Sequence, residues 1–447
     1  MTSCASAPRP APPARQRGQV LALLLMLWAA LLGGMLLVFN SGQIVSAKLR
    51  LVGAADAAAY SAAVWQARAL NFQAYMNRGI VANEVAIAQL VSLRSWSAYM
   101  NQALQDAAFV SAAAPPVAAA MNDLAQGWAS MNTGLQRALP LLEAGASRWN
   151  TEVLSRAEYV TDLQTPVVTA SLAHDVAVAN VPELGTVATS RAFDARNALR
   201  WQALTEGHGR SGEQRARLRS VVMASRDGFS QARDWTIGVP PVFTLKKRGG
   251  TDLIGYDSWR GLDTAALNVP LLFSARERPL VWGAAENRLQ AEEGVGYHGG
   301  SYRDNPRTSA IAVAELTPNN GYAGLPAYRD VRISRAGTVS PLRYEIQLRQ
   351  PGSTVATSDV VMGAPATAVP GEEPKVLAPA FHADSMYALS AAQVSFIRPV
   401  ARADRRQELA SLFNPYWEAR LAPVTLAQRM LAAAARGGSP DPYLVLP

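Results

Sequence analysis

Residues 20–39 read VLALLLMLWAALLGGMLLVF: twenty consecutive positions without a charge, dominated by Leu. At 1.5 Å rise per residue this is about 30 Å of helix, the thickness of a bilayer's hydrocarbon core. Gly33 and Gly34 interrupt the bulk but not the hydropathy. The nineteen residues before it carry Arg9, Arg15 and Arg17, no acid and four prolines. That imbalance predicts a cytoplasmic tail over 1–19, a transmembrane helix over 20–39 and everything beyond Phe39 outside. Lys48 and Arg50, on the far side, pull weakly the other way. A cleaved secretory signal is the alternative, but its apolar core is normally 7–15 residues, and the small-residue site Val45-Ser46-Ala47 lies well past the span. Prepilin-type cleavage after Gly18 would normally want an acid at the fifth mature position, where Leu23 stands.

The rest of the chain is long and apolar enough to fold. Of 447 residues 49 % are hydrophobic and 17 % charged, with a formal net charge of +8, which excludes wholesale disorder. No second run could cross a bilayer. The lone Cys4 excludes a disulfide-stapled fold and any multi-cysteine metal site. Four scattered histidines (His174, His208, His298, His382) give no metal cluster in the sequence.

From Val20 to Ala114 there is no proline, and Ala, Leu, Gln and Met abound, so the membrane helix is expected to continue outward as a stalk. Val45, Leu49, Val52, Ala59 and Ala63 fall on three- and four-residue steps, the stripe of a helix with one packed face. Ninety-five straight residues would reach about 140 Å. A turn is therefore expected, and Gly79 is its candidate, the only glycine between Gly53 and Gly127. Asp56 falls on the stripe, and its helical neighbours Val52, Gly53, Ala59 and Tyr60 offer no base. Either water reaches it, or an Arg, Tyr or backbone donor from another helix or a partner protein does.

The stretch Gly53-Ala54-Ala55-Asp56-Ala57-Ala58-Ala59-Tyr60-Ser61-Ala62-Ala63, a short way past a membrane helix, resembles the N-terminal region of TadG-like (TadE/TadG) proteins of the Flp, or tight-adherence, pilus-assembly system. The likeness continues through Gln66–Arg78 and Ala82–Gln89, and covers residues 18–90. A second block near the C-terminus, Leu412-Phe413-Asn414-Pro415-Tyr416-Trp417-Glu418-Ala419-Arg420-Leu421, shares it. Together they make about a fifth of the chain. The resemblance implies a non-catalytic protein of the bacterial inner membrane, its bulk periplasmic, that helps to assemble or anchor a pilus. Its partners would be the membrane and other pilus-assembly proteins or pilin. Some TadG proteins carry a von Willebrand factor A domain, whose metal loop reads Asp-x-Ser-x-Ser. Asp257-Ser258 and Asp384-Ser385 lack that spacing, so no such domain and no divalent ion are expected.

Pro115-Pro116, Pro140, Pro166 and Pro182 punctuate the next helical runs and read as helix starts or links. A last run covers about Gly212 to Trp235, where Arg215, Arg217 and Arg219 read as a solvated face. Nucleic-acid binding would want interleaved aromatics, which are missing. After Pro240-Pro241 the period changes. Leu342, Tyr344, Ile346 and Leu348 alternate with Arg343, Glu345, Gln347 and Arg349, the pattern of a strand with one buried and one wet face. Val331 and Ile333 alternate upstream, and Ala336-Gly337 between them suggests an antiparallel hairpin. Ser309–Leu316 and Gln393–Val400 are further strand candidates, 363–379 an extended loop, and the chain after Ala403 helical again.

Chemical motifs are sparse. Gly294-Val295-Gly296-Tyr297-His298-Gly299 matches G-x-G-x-x-G but lacks the strand before and helix after that a nucleotide site requires, so it reads as a turn. No G-x-S-x-G, Walker loop or H-E-x-x-H occurs. No catalytic, cofactor or metal residue is assigned, and no small-molecule substrate or nucleic acid is expected. Asn414-Pro415-Tyr416-Trp417 places two aromatics at a proline turn, suited to core packing or partner contact. Asp56, Tyr416 and Trp417 are the candidate partner-contact residues. The fold class expected is α+β. A helical stalk lobe covers 40–235, a mixed lobe with antiparallel hairpins covers 236–436, and a loose tail covers 437–447. The rival readings are a membrane-tethered periplasmic hydrolase and a pilin-like subunit processed after Gly18.

Overall fold

The computed structural model describes residues 19–182, 184, 190–209, 213–239, 242–271, 274–289, 305–332, 339–355, 357, 386–406 and 408–434. The fold is α+β. Its axis is α1, Gln19–Ser111, one uninterrupted helix of 93 residues. Among the described residues it is the one helix long and apolar enough to cross a membrane, and its most apolar stretch is left uncovered by the rest of the chain.

The turn expected at Gly79 does not occur. Burial along α1 repeats every eleven residues: Leu51, Ala62, Gln73, Glu84 and Ser95 are buried, and so are Ala55, Gln66, Asn77, Ala88 and Tyr99. Eleven residues in three turns is 3.67 per turn, close to the natural 3.6. One face therefore keeps its aim over fifty residues with only a slight right-handed drift, and partners can pack along it without a break. Of the expected stripe, Ala59 and Ala63 lie on the packed face, and its membrane-proximal members do not. Val45, Leu49 and Val52 are exposed, while Ala47, Leu51, Ala54, Ala55, Ala58, Ala59, Ala62 and Ala63 are buried. Gly79 marks a close contact instead, since a Cβ there would lie 3.2 Å from Leu154 Cδ1.

The helix that returns along α1 is shorter, from Pro115 to Asn180. It consists of α2 (Pro115–Arg148), a π-helical turn (Trp149–Leu154) and α3 (Ser155–Asn180). Pro115 and Pro116 open it in the first turn, where no backbone N–H is missed. Pro140 and Pro166, expected at starts or links, lie inside α2 and α3. Pro166 deprives the Asp162 carbonyl of its helical donor, and the Trp201 indole N–H replaces it at 3.1 Å.

Three antiparallel sheets are mounted on this pair. A meander of β2 (Trp235–Val239), β3 (Phe243–Ile254), β4 (Ser258–Leu271) and β5 (Ser274–Arg288) lies across the distal part of α1. Gly261 and Gly283 let the helix come close. A Cβ on Gly283 would run into the backbone of Ser95 and Tyr99, 2.8 Å from Tyr99 Cα. β1 (Thr205–His208) pairs with β6 (Tyr328–Val331), and β7 (Leu342–Gln350), β8 (Met386–Phe396) and β9 (Trp417–Ala422) form the third sheet. α4 (Arg191–Leu204), α5 (Glu213–Ser225), α6 (Gly228–Gln231), α7 (Pro306–Ala314) and α8 (Leu426–Ala434) cover the sheets.

Several expectations are corrected here. The hairpin between Val331 and Leu342 is not formed, because β6 pairs with β1 and β7 with β8. Alternation identifies a strand but not its neighbour. Ile333, Ala336 and Gly337 lie outside the described residues. Ser309–Leu316 is mostly helix α7, entered at Pro306; a short apolar run suits either element. Of Gln393–Val400, residues 393–396 belong to β8. The chain after Ala403 forms strand β9 before helix α8. β7 has no wet face through its middle. Glu345 and Gln347 are buried, with α4 and α8 meeting them through Asn197, Arg200 and Gln428. The tails 1–18 and 437–447, the segment 363–379 and the glycine motif at 294–299 lie outside the described residues.

Candidate functional site

The two stretches that carry the family resemblance meet in space. Asn71 of α1 donates through Nδ2 to the Trp417 carbonyl and accepts the Trp417 N–H on Oδ1, both at 3.0 Å. Two turns on, Asn77 Nδ2 reaches the Leu412 carbonyl at 2.6 Å and the Arg329 carbonyl at 2.8 Å. The Asn71 amide imitates a neighbouring strand at the edge of β9. Asn197 does the same on β7, donating to the Glu345 carbonyl at 2.7 Å and accepting its N–H at 3.1 Å. Both edges of the three-stranded sheet are thus occupied locally by side-chain amides, a guard against pairing with stray strands. Removing either amide would orphan two backbone groups, at roughly 1–3 kcal/mol each where buried.

Of the three residues singled out in the sequence, Trp417 is a core residue. It is 3 % exposed, edge-on to Phe396 at 5.4 Å, and its indole N–H donates to the Ser411 carbonyl at 3.3 Å. Tyr416 is half-buried, 5.7 Å from the Phe396 ring and 5.5 Å from the Arg398 guanidinium. Asp56 is half-buried and accepts a hydrogen bond from Ser390 Oγ of β8 at 2.6 Å, a hydroxyl donor from a strand. Ser390 lies six residues along β8 from Phe396, about 20 Å. The structure thus sets Asp56 and the Tyr416–Trp417 pair on the same sheet but not in one site.

Sequence reading passed over the polar residues on the buried face of α1. Gln66, Gln73, Asn77 and Glu84 interrupt an otherwise apolar stripe at helical spacing, and that interruption was the available signal. Glu84 is the hub. It is wholly buried and accepts from Trp259 Nε1 (3.0 Å), the Tyr322 hydroxyl (2.8 Å) and Asn150 Nδ2 (2.9 Å). Burial holds its carboxyl above the usual range against these three bonds. Arg94 pairs with buried Glu143 at 3.1 Å, and burial again raises the acid. Asp263 is gripped by Arg233 at 2.8 Å, by Lys247 and by the Ser95 hydroxyl. Burial lowers the Lys247 ammonium. Glu158 and Asp330 are raised by burial as well.

Of the arginines read as a solvated face, Arg215 is buried and Arg219 half-buried, while Arg217 stays exposed and still reaches a buried acid. Arg215 reaches Asp257 at 3.2 Å, Arg217 pairs with fully buried Asp330 at 2.8 Å, and Arg219 donates to the Leu253 carbonyl. Arg215 and Arg219, four residues apart, share one face of α5 and Arg217 lies on another, so their separate partners are a tertiary fact invisible in a run of bases. Asp257 is thus tied to Arg215, and Ser258 donates to Glu286 at 2.6 Å. Among the described residues no three His, Cys, Asp or Glu side chains gather to hold a metal ion. Glu84 and Glu143 sit in the packing that joins α1 to other elements, whereas Glu158 lies where α3 meets β6, and Asp330 joins β6 to Arg217 of α5 and to Leu412.

No family model, no curated protein and no solved structure matches the chain.

Proposed function

We propose that the protein is a non-catalytic component of Flp-type pilus assembly or anchoring, held in the bacterial inner membrane. On this reading the N-terminus is cytoplasmic and the bulk of the chain periplasmic, with pilus-assembly proteins or pilin as partners and no nucleic acid or small-molecule substrate. The observation that carries it is the junction of Asn71 and Asn77 with Trp417 and Leu412. Two separated stretches that both resemble TadG-like proteins form one contact, which supports reading them as a single inherited unit. The apolar helix at the N-terminus and the charge imbalance before it support the anchor.

Deleting the gene in its own bacterium and counting surface pili by electron microscopy tests the role. Loss of pili, restored by the wild-type chain, is expected. Normal piliation of the deletion strain overturns it. An enzymatic reporter fused after Pro447 should be active only in the periplasm.

A further inference from the structure

β5 is an edge strand, and in its C-terminal half the free edge is filled at Trp282 and at Glu286–Arg288 but open between. Trp282 N–H points away from β4 and donates to Gln102 Oε1 at 2.9 Å. Four residues on, the Glu286 carbonyl accepts from Asn319 N–H at 2.8 Å, and Arg288 N–H donates to the Asn319 carbonyl at 2.8 Å. The register with β4 is regular from Val281 to Arg288, so residues 282, 284, 286 and 288 all aim their backbone groups outward. Ala284 lies between the two plugs. Its N–H and C=O have no partner among the described residues.

That gap opens into a cleft of about 560 Å³. One wall is helical, with Ala98 and Gln102 from α1 and Gln136 and Pro140 from α2; the other is Ala312 and Glu315 at the end of α7. Ala284 is half-buried, so water can meet its backbone groups in the cleft, and a partner strand would have to displace that water. The stretch from Trp282 to Glu286 is about 13 Å, the length of four extended residues. Asn319 already pairs with β5 in parallel fashion through its bridge to Asn287. It shows that this edge accepts a further strand.

We infer that the cleft beside Ala284 binds an extended peptide segment of a partner protein, added as a fifth strand on β5. Main-chain hydrogen bonds to Ala284 supply the recognition, and the helical walls select side chains that fit. The inference rests on the cleft alone and holds whichever biological role the protein has.

The test is to pan a phage-displayed random heptapeptide library against the detergent-solubilised full chain and measure synthetic hits by fluorescence anisotropy. Each hit is then N-methylated at one amide at a time. Strand addition predicts that methylation at alternate amides weakens binding at least tenfold and leaves the amides between nearly untouched. Ala98→Trp, which fills the cleft from α1, and Ala284→Pro, which removes the edge N–H at a position where proline is tolerated, should each weaken binding at least tenfold. No enriched peptide, methylation effects without alternation, or unchanged affinity in Ala98→Trp overturns the proposal.

Discussion

Glu84 shows what a single residue does in this protein. Burial disfavours the ionised form more than its three neutral donors offset it, so its carboxyl is raised from the usual 4.5. The folded state then holds a proton that the unfolded state releases, over the window between 4.5 and the raised value. Stability contributed by Glu84 therefore falls as pH rises through that window and returns as pH drops. The amide of Glu84→Gln has no such dependence. Thermal melts of the solubilised wild type and of Glu84→Gln should thus shift in favour of the wild type as pH falls towards 4.5. A constant difference across that window would show that Glu84 is not the titrating group.

At the scale of elements, the close docking of α1 on β4 and β5 depends on two absent side chains. Gly283→Ala puts a methyl into the backbone of Ser95 and Tyr99, where nothing flexible can yield. It should cost about 2 kcal/mol or more, since packed backbones must separate. Gly134→Ala, on α2 with nothing within 4 Å, should instead stabilise by roughly 0.5–1 kcal/mol through helix propensity. Chemical denaturation of both variants checks the contrast; equal effects would deny the close approach. The π-helical turn at Trp149–Leu154 belongs to the same scale, placing Asn150 and Leu154 inward against α1.

The whole molecule is organised by one straight helix to which each sheet is fastened separately. Its continuity is measurable. Spin labels at Leu49 and Gln89, both exposed, are forty residues apart, which is about 60 Å in an unbroken helix. A turn at Gly79 would bring them within about 30 Å by the same rise. Pulsed electron–electron resonance should give the longer distance.

Much of this was legible beforehand. Twenty uncharged residues at 20–39, proline-free alanine beyond them and the alternation from Leu342 to Leu348 determined an apolar N-terminal helix, a helical stalk and a strand. Each of those signals is local, fixed by backbone geometry and by the surface a side chain prefers. Which face of α1 is covered, and that it runs past Gly79 without turning, were decided by partners from 115–180 and from the sheets. So was the pairing of Arg215, Arg217 and Arg219, whose partners Asp257, Asp330 and the Leu253 carbonyl lie 34 or more residues away. The pairing of β6 with β1 across more than a hundred residues, and the open edge at Ala284, follow from strand neighbours that no local period encodes. Hydrophobic period tells a residue to be buried or exposed; only the assembled chain tells it against what.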